Sequence, residues 1–121
     1  MSARIIGYDT LMNTEAVAQA DTHYTSSIKM DRFTGEVGVF IVSTAGSITV
    51  TQQCSIDGTN WYNPVNASGT ALGTVCTALT VTTGKYVSYS PVMAPYARFK
   101  VLENNSAATD VTLKLVFNEE A

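Results

Sequence analysis

Apolar and polar positions alternate with a period of two along most of the chain after residue 24, the mark of strands that bury one face. "YTSSIKM" (24–30) predicts a short, partly polar strand. "EVGVFIVST" (36–44) is apolar on both faces: Val37, Val39 and Ile41 on one, Phe40 and Val42 on the other. A strand of that kind is covered on both sides. In an antiparallel domain the second cover is an arm or a neighbouring subunit. "SITVTQQCSI" (47–56) puts Ile48, Val50, Cys54 and Ile56 on one face, with Gln52 the exception. The tight "TAGS" turn before it predicts a hairpin between 36–44 and 47–56.

After Pro64 a loop rich in Gly and Thr leads to one or two short strands near 74–82, then to "KYVSYSPV" (85–92). "YARFKVLEN" (96–104) points Ala97, Phe99 and Val101 inward and Arg98 and Lys100 outward. "DVTLKLVFNEE" (110–120) aligns Val111, Leu113, Leu115 and Phe117, and Asn104-Asn105-Ser106 supplies the turn before it. Seven or eight short strands without a convincing long helix predict an all-β fold, an antiparallel β-sandwich or jelly roll. Residues 1–23 show no sustained period. They predict an irregular N-terminal arm, and residues 24–121 the β-sandwich domain. Ile5, Ile6, Leu11, Met12 and Val17 of the arm are expected to lie on a neighbour, because so many apolar residues on a free terminus would be a solubility liability.

Composition sharpens this picture. The chain has 121 residues, enough for one domain with one core. Hydrophobic residues make up 45%, which makes a packed core feasible, whereas charged residues make up only 14%, against about 25% in typical globular proteins. A surface this poor in charge is weakly protected against association. The net charge is −3, and the seven basic residues are scattered. A nucleic-acid footprint needs a concentrated basic patch, so no nucleic-acid partner is expected. No apolar run reaches the roughly 18 residues of a membrane helix, and residues 1–20 lack the apolar run of a signal peptide. No membrane partner is expected, and synthesis and assembly are expected in a host cytoplasm. Cys54, Cys76 and the single histidine, His23, have no zinc spacing. The cysteines are expected to be reduced and packed as small apolar residues.

"SIDGTNW" (55–61) carries a local signal. Asp57-Gly58 suits a tight turn, and Trp61 restarts a partner strand. Trp61 can anchor that hairpin, or Trp61 and Tyr62 can form a stacking platform for a sugar. Asp57, Asn60 and Asn63 are oxygen ligands that calcium could use, but their spacing is not that of an EF-hand, and turn chemistry explains them. The seven residues resemble the Ser-x-Asp-Gly-x-x-Trp hairpin of discoidin-like sugar- and lipid-binding domains and of small structural proteins of tailed bacteriophages. The Asp-box of sialidase propellers has a spacing one residue longer and does not match. The phage resemblance runs over about residues 33–118, through "FTGEVGVFIVSTAGSITVTQQCSIDGTNW", "APYARFKVLENNS" and the last alternating strand. It resembles head-decoration or other virion accessory proteins, single-domain β-sandwiches that bind capsid or tail surfaces as oligomers. It transfers no functional residues.

Catalytic chemistry is poorly supplied. His23 is the only imidazole, no phosphate-binding glycine loop is present, and most acidic residues fall at turns or strand ends. Neither a catalytic residue nor a cofactor or metal is expected. The reading is a non-enzymatic virion structural protein, a capsid decoration (cement) protein on the capsid surface that bridges capsid subunits. Its expected partners are itself, as a homo-oligomer with a trimer the first choice, and the major capsid or another virion protein. The expected interface is Ile5, Ile6, Leu11, Met12, Val17, Phe40 and Val42. The rival is a carbohydrate-binding module using Trp61 and Tyr62.

Overall fold

The computed structural model describes residues 4–32 and 35–120. Nine strands form: β1 (Arg4–Val17), β2 (Thr22–Tyr24), β3 (Ile28–Lys29), β4 (Val37–Ser43), β5 (Ser47–Ser55), β6 (Thr74–Thr80), β7 (Lys85–Tyr89), β8 (Tyr96–Glu103) and β9 (Thr109–Glu120). A 3-10 turn, Met30–Arg32, follows β3. One sheet has the order β1-β9-β4-β7. The other has the order β2-β8-β5-β6, with β3 also on β8. Every pairing is antiparallel. With β2 and β3 counted as one broken strand, first pairs with last, second with second-last, and so on inward to β5 with β6. That nesting is the jelly roll of the expectation, an eight-stranded double sheet.

The alternating strands behave as their patterns dictate. Val39, Ile41, Leu113, Leu115, Val111, Phe117, Ile48, Val50, Phe99 and Val101 are all buried between the sheets. Each large apolar side chain so placed contributes about 1.5–3 kcal/mol relative to leaving it exposed. Two expectations for β5 fail. Ile56 lies past the end of the strand and is exposed, and Cys54 is only half-buried. Both cysteines are free thiols, and burial pushes the Cys54 and Cys76 thiols up from their ordinary range.

The expected hairpin between residues 36–44 and 47–56 does not form. β4 pairs with β7 and β9, whereas β5 pairs with β6 and β8. The short Thr44–Gly46 connection instead carries the chain from one sheet to the other. Both edges of each strand are already taken by strands from later in the sequence, so the two cannot also pair with each other.

The irregular N-terminal arm is also overturned. Residues 4–17 are a 14-residue strand hydrogen-bonded along β9. Their pattern hid this because two bulges break the period. Thr10 lies opposite Lys114, Met12 opposite Leu113 and Glu15 opposite Val111, so an extra residue enters at each step. Thr14 takes a left-handed φ of 54° at the second bulge, and its N–H donates to Thr112 Oγ1 at 3.1 Å. Each bulge shifts which side chains face inward. Met12 and Val17 are 1% and 3% exposed, members of the chain's own core, and Leu11 packs against them.

Two buried polar side chains hold the connections between sheets. Glu103 is fully buried. Its carboxylate accepts from the Ala20 N–H at 3.0 Å and from the Ser106 N–H at 2.9 Å. Gly46 approaches so closely that a Cβ there would meet Glu103 Oε2 at 2.7 Å, and its φ is +70°. Three crossings, at 18–21, 44–46 and 104–108, therefore meet around one carboxylate. At the opposite end Gln52 plays the matching part. Its Oε1 accepts from the Tyr89 hydroxyl at 2.6 Å and from the Val92 N–H at 2.9 Å. Its Nε2 donates to the Val92 carbonyl at 2.9 Å and contacts Met30 Sδ at 3.7 Å. Burial pushes the Tyr89 phenol up to about 12.

Deleting residues 2–17 should abolish the folded state, because β9 loses its whole outer partner and the core loses Met12 and Val17. Circular dichroism melting checks this, and a truncated chain with a wild-type transition would contradict the assignment of β1. Gln52→Leu leaves the Tyr89 hydroxyl and both Val92 backbone groups without their partner. It should cost about 1–3 kcal/mol for each group left unsatisfied, read by urea unfolding.

Glu103 gives a pH dependence. Burial pushes its carboxyl up, but the N–H groups of Ala20, Ser106, Ala107 and Asn105 outweigh it and hold the carboxyl below its ordinary 4.5. A carboxyl depressed in the folded state stabilises the fold above its unfolded value, and that contribution is lost as pH falls through the folded one. The Tm of the wild type should fall as pH drops below about 4.5. Glu103→Gln should melt lower at pH 7 and show a shallower acid limb.

Candidate functional site

Two surfaces stand out, one on the outer face of each sheet. On the β1-β9-β4-β7 sheet the register aligns Tyr8, Val116, Gly38 and Ser88 in one row and Thr10, Lys114, Phe40 and Tyr86 in the next. Ile6 and Val42 extend the face on β1 and β4. Ile6 is 79% exposed, Tyr8 63% and Tyr86 65%, while Phe40, Val42 and Val116 are half-buried. Exposed aromatics and aliphatics thus run across four strands. The Tyr86 ring lies over Gly38 and occupies the space that a Cβ would need. A shallow cavity of about 180 Å³ opens beside it, lined by Ile6, Gly38, Tyr86 and Val116. Polar groups are interspersed: Thr10, Thr112 and Asn118 share the face, Lys114 Nζ sits 5.5 Å from the centre of the Tyr8 ring, and the Ser88 hydroxyl donates to Glu36, which with Asn118 also lines the cavity.

Of the seven residues expected at an interface, this face gathers Ile6, Phe40 and Val42. Met12 and Val17 belong to the core and Leu11 packs on it. The side chain of Ile5 lies outside the described residues. Tyr8 and Val116 join the face without having been anticipated, and so does Tyr86, an aromatic that the sequence offered for a sugar groove or a protein interface alike. Tyr8 was hidden by the unrecognised strand, whereas Val116 was legible as the polar-side exception in the alternation of 110–120.

The second surface lies on the β2-β8-β5-β6 sheet. Asp57 organises the turn at its edge. Its Oδ1 accepts from the Ser55 hydroxyl and the Thr59 and Asn60 N–H groups at 2.9–3.1 Å, and its Oδ2 from Asn60 Nδ2 at 2.7 Å. The Asn60 and Thr59 N–H groups hold the Asp57 carboxyl well below the usual carboxylate range. Asn63, the third oxygen ligand considered for calcium, accepts instead from Gln53 Nε2 at 3.0 Å. The loop closes through paired backbone bonds between Cys54 and Tyr62 at 2.8 and 2.9 Å.

Trp61 anchors this loop on a cation. The Arg98 guanidinium lies over two rings, 4.6 Å from the centre of Trp61 and 4.3 Å from that of Tyr24. Arg98 Nε donates to Gln53 Oε1 at 2.7 Å. One face of Trp61 is thereby occupied. Tyr62 is exposed. His23 lies on β2 opposite Val101. Among the described residues no three His, Cys, Asp or Glu side chains are grouped as metal ligands, and no helix is long and apolar enough to cross a membrane.

No family model and no curated protein matches the sequence. Solved structures do match in shape. The PBSX exported protein XepA aligns over 92% of this chain with a TM-score of 0.61 and 15% sequence identity. The alignment takes up 36% of XepA, so this chain spans little more than a third of that protein's length. The SPBc2 prophage-derived protein YomS aligns over 96% of both chains with a TM-score of 0.57 and 12% identity. At such identities the likeness is one of fold.

Trp61→Ala removes one of the two rings over which Arg98 lies and should cost about 0.5–2 kcal/mol. Tyr62→Ala should be close to neutral. Urea unfolding of both variants checks the contrast, and equal losses would contradict the anchoring role of Trp61.

Proposed function

We propose that this chain is a non-enzymatic virion structural protein, a capsid decoration (cement) protein that acts as a homo-oligomer, with a trimer the first choice. The observation that carries the reading is the apolar outer face of the β1-β9-β4-β7 sheet. Exposed large apolar side chains gathered on one sheet face support an interaction site there, and the exposed Tyr8 and Tyr86 are the residue type enriched in protein interfaces. The charge-poor composition supports the same reading. So does the phage setting of a fold neighbour, the SPBc2 prophage-derived YomS.

In mechanism, copies of the chain bury these faces together, and the oligomer presents several capsid-binding surfaces at once. Linked sites convert later contacts into intramolecular ones, so modest contacts add up to strong attachment. Holding neighbouring capsid subunits together raises the cost of separating them. No chemistry is required of any side chain.

Phe40→Asp and Val42→Asp place a charge on the face without touching the inward side of β4. Both variants should keep a cooperative melt while light scattering falls from the oligomer mass to the monomer mass. Co-sedimentation with purified capsids should weaken in parallel. A wild-type chain that stays monomeric at high concentration and fails to co-sediment with capsids would refute the proposal. Binding to tails in place of heads would retain the virion role and refute the decoration role.

A further inference from the structure

The cluster around Arg98 has no task in assembly. Arg98 and Lys100 are successive outward side chains on β8, roughly 6.8 Å apart along the strand. Arg98 is held before any ligand arrives: its guanidinium lies over the Tyr24 and Trp61 rings, Gln53 takes its Nε, and Asn63 fixes Gln53 in turn. Its terminal amino groups remain available as a planar donor fork. Among the described residues no carboxylate pairs with Arg98 or Lys100. The nearby Asp57 is saturated by its own turn.

A groove adjoins Lys100, the second of these cations. It has a volume of about 220 Å³ and is lined by Thr51, Asn63, Pro64, Thr74 and Lys100. Thr51 lies directly opposite Lys100 in the sheet register. The volume falls below the roughly 300–1,000 Å³ of sites for drug-sized ligands, so it accommodates about one ring. Its lining, which includes Pro64 and Ala71, exposes more apolar than polar surface, and the Thr51 and Thr74 hydroxyls, the Asn63 amide and the Lys100 ammonium supply polar groups. A sugar ring, with apolar C–H faces and hydroxyl edges, meets a mostly apolar surface that carries a few placed polar groups. A cation held rigid in advance saves the ordering cost that a mobile arginine would incur on binding.

We propose that this groove binds an acidic saccharide. The sugar ring lies against Thr51, Asn63 and Thr74, and its carboxylate or phosphate accepts from Lys100 and the free fork of Arg98. The site differs from a Trp61–Tyr62 platform, because Trp61 here positions Arg98 and Tyr62 takes no part. It stands independently of the assembly face, which lies on the other sheet.

Trp61 is the only tryptophan of the chain, so its fluorescence reports on the cluster. The full chain is titrated with trigalacturonate, glucose 6-phosphate, maltotriose and inorganic phosphate. Each titration is repeated by calorimetry, so that a silent fluorophore does not hide binding. Saturable binding of at least one acidic sugar is expected, with trigalacturonate marking a carboxylate site and glucose 6-phosphate a phosphate site. Maltotriose and inorganic phosphate should not saturate. Lys100→Gln, an outward substitution expected to keep the wild-type Tm, should weaken binding about tenfold or more. Absence of binding by both acidic sugars, equal binding of maltotriose or inorganic phosphate, or unchanged affinity in Lys100→Gln would each overturn the proposal.

Discussion

The buried carboxylate of Glu103 is the constraint on which this jelly roll turns. The fold requires the chain to pass repeatedly from one sheet to the other, and each crossing leaves backbone groups that no strand can pair. Three such crossings meet at Glu103, two of them donating N–H groups to it and the third closing over it at Gly46. An ionised group is costly to bury unless hydrogen bonds satisfy it. Here each party removes the other's deficit: among the described residues the carboxylate has no cation but several N–H donors, and the corners have no strand partner but a strong acceptor. An apolar residue at 103 would leave those N–H groups unpaired, and a longer side chain at 46 would force the carboxylate away.

Gln52 solves the same problem at the other end with a neutral group. Its amide offers an acceptor and a donor together, which suits the Val92 N–H and carbonyl at once. The two residues share a signature in the sequence. Both stand at inward positions of otherwise apolar strands, where they read as breaks in the alternation. Gln52 was visible as such an exception on β5, but nothing local says what it bonds, because Tyr89 and Val92 arrive from far along the chain.

The limits of legibility follow the same physics. The inward faces of β4, β8 and β9 are readable because a strand paired on both sides repeats its pattern without interruption. β1 was not, since two bulges and a left-handed Thr14 shift its parity twice within a few residues. Pairing partners were hidden for a different reason. Sequence proximity suggested β4 with β5, whereas the nested topology gives each of them later strands as neighbours. The outer face suffered from both effects: Phe40 and Val42 could be found from β4 alone, while Ile6, Tyr8 and Tyr86 join them only through long-range register.

The two sheets thus present unlike outer faces, and this asymmetry bears on the proposed assembly. One face carries Ile6, Tyr8, Phe40, Val42 and Tyr86 among scattered polar side chains, and Gly38 leaves room for the Tyr86 ring over it. The other carries Arg98, Lys100 and Gln53 under a loop fixed by Asp57. Apolar area gives a non-directional attraction that scales with burial, so the first face suits contact with protein. Preoriented charge gives directional recognition at smaller area, so the second suits a small anionic group. In an oligomer that buries the first face, the second necessarily turns away from the contact, because it lies on the opposite side of the core. A sandwich with two unlike faces can therefore assemble through one sheet and keep the other free for a ligand, with the single core between them fixing the relative position of both.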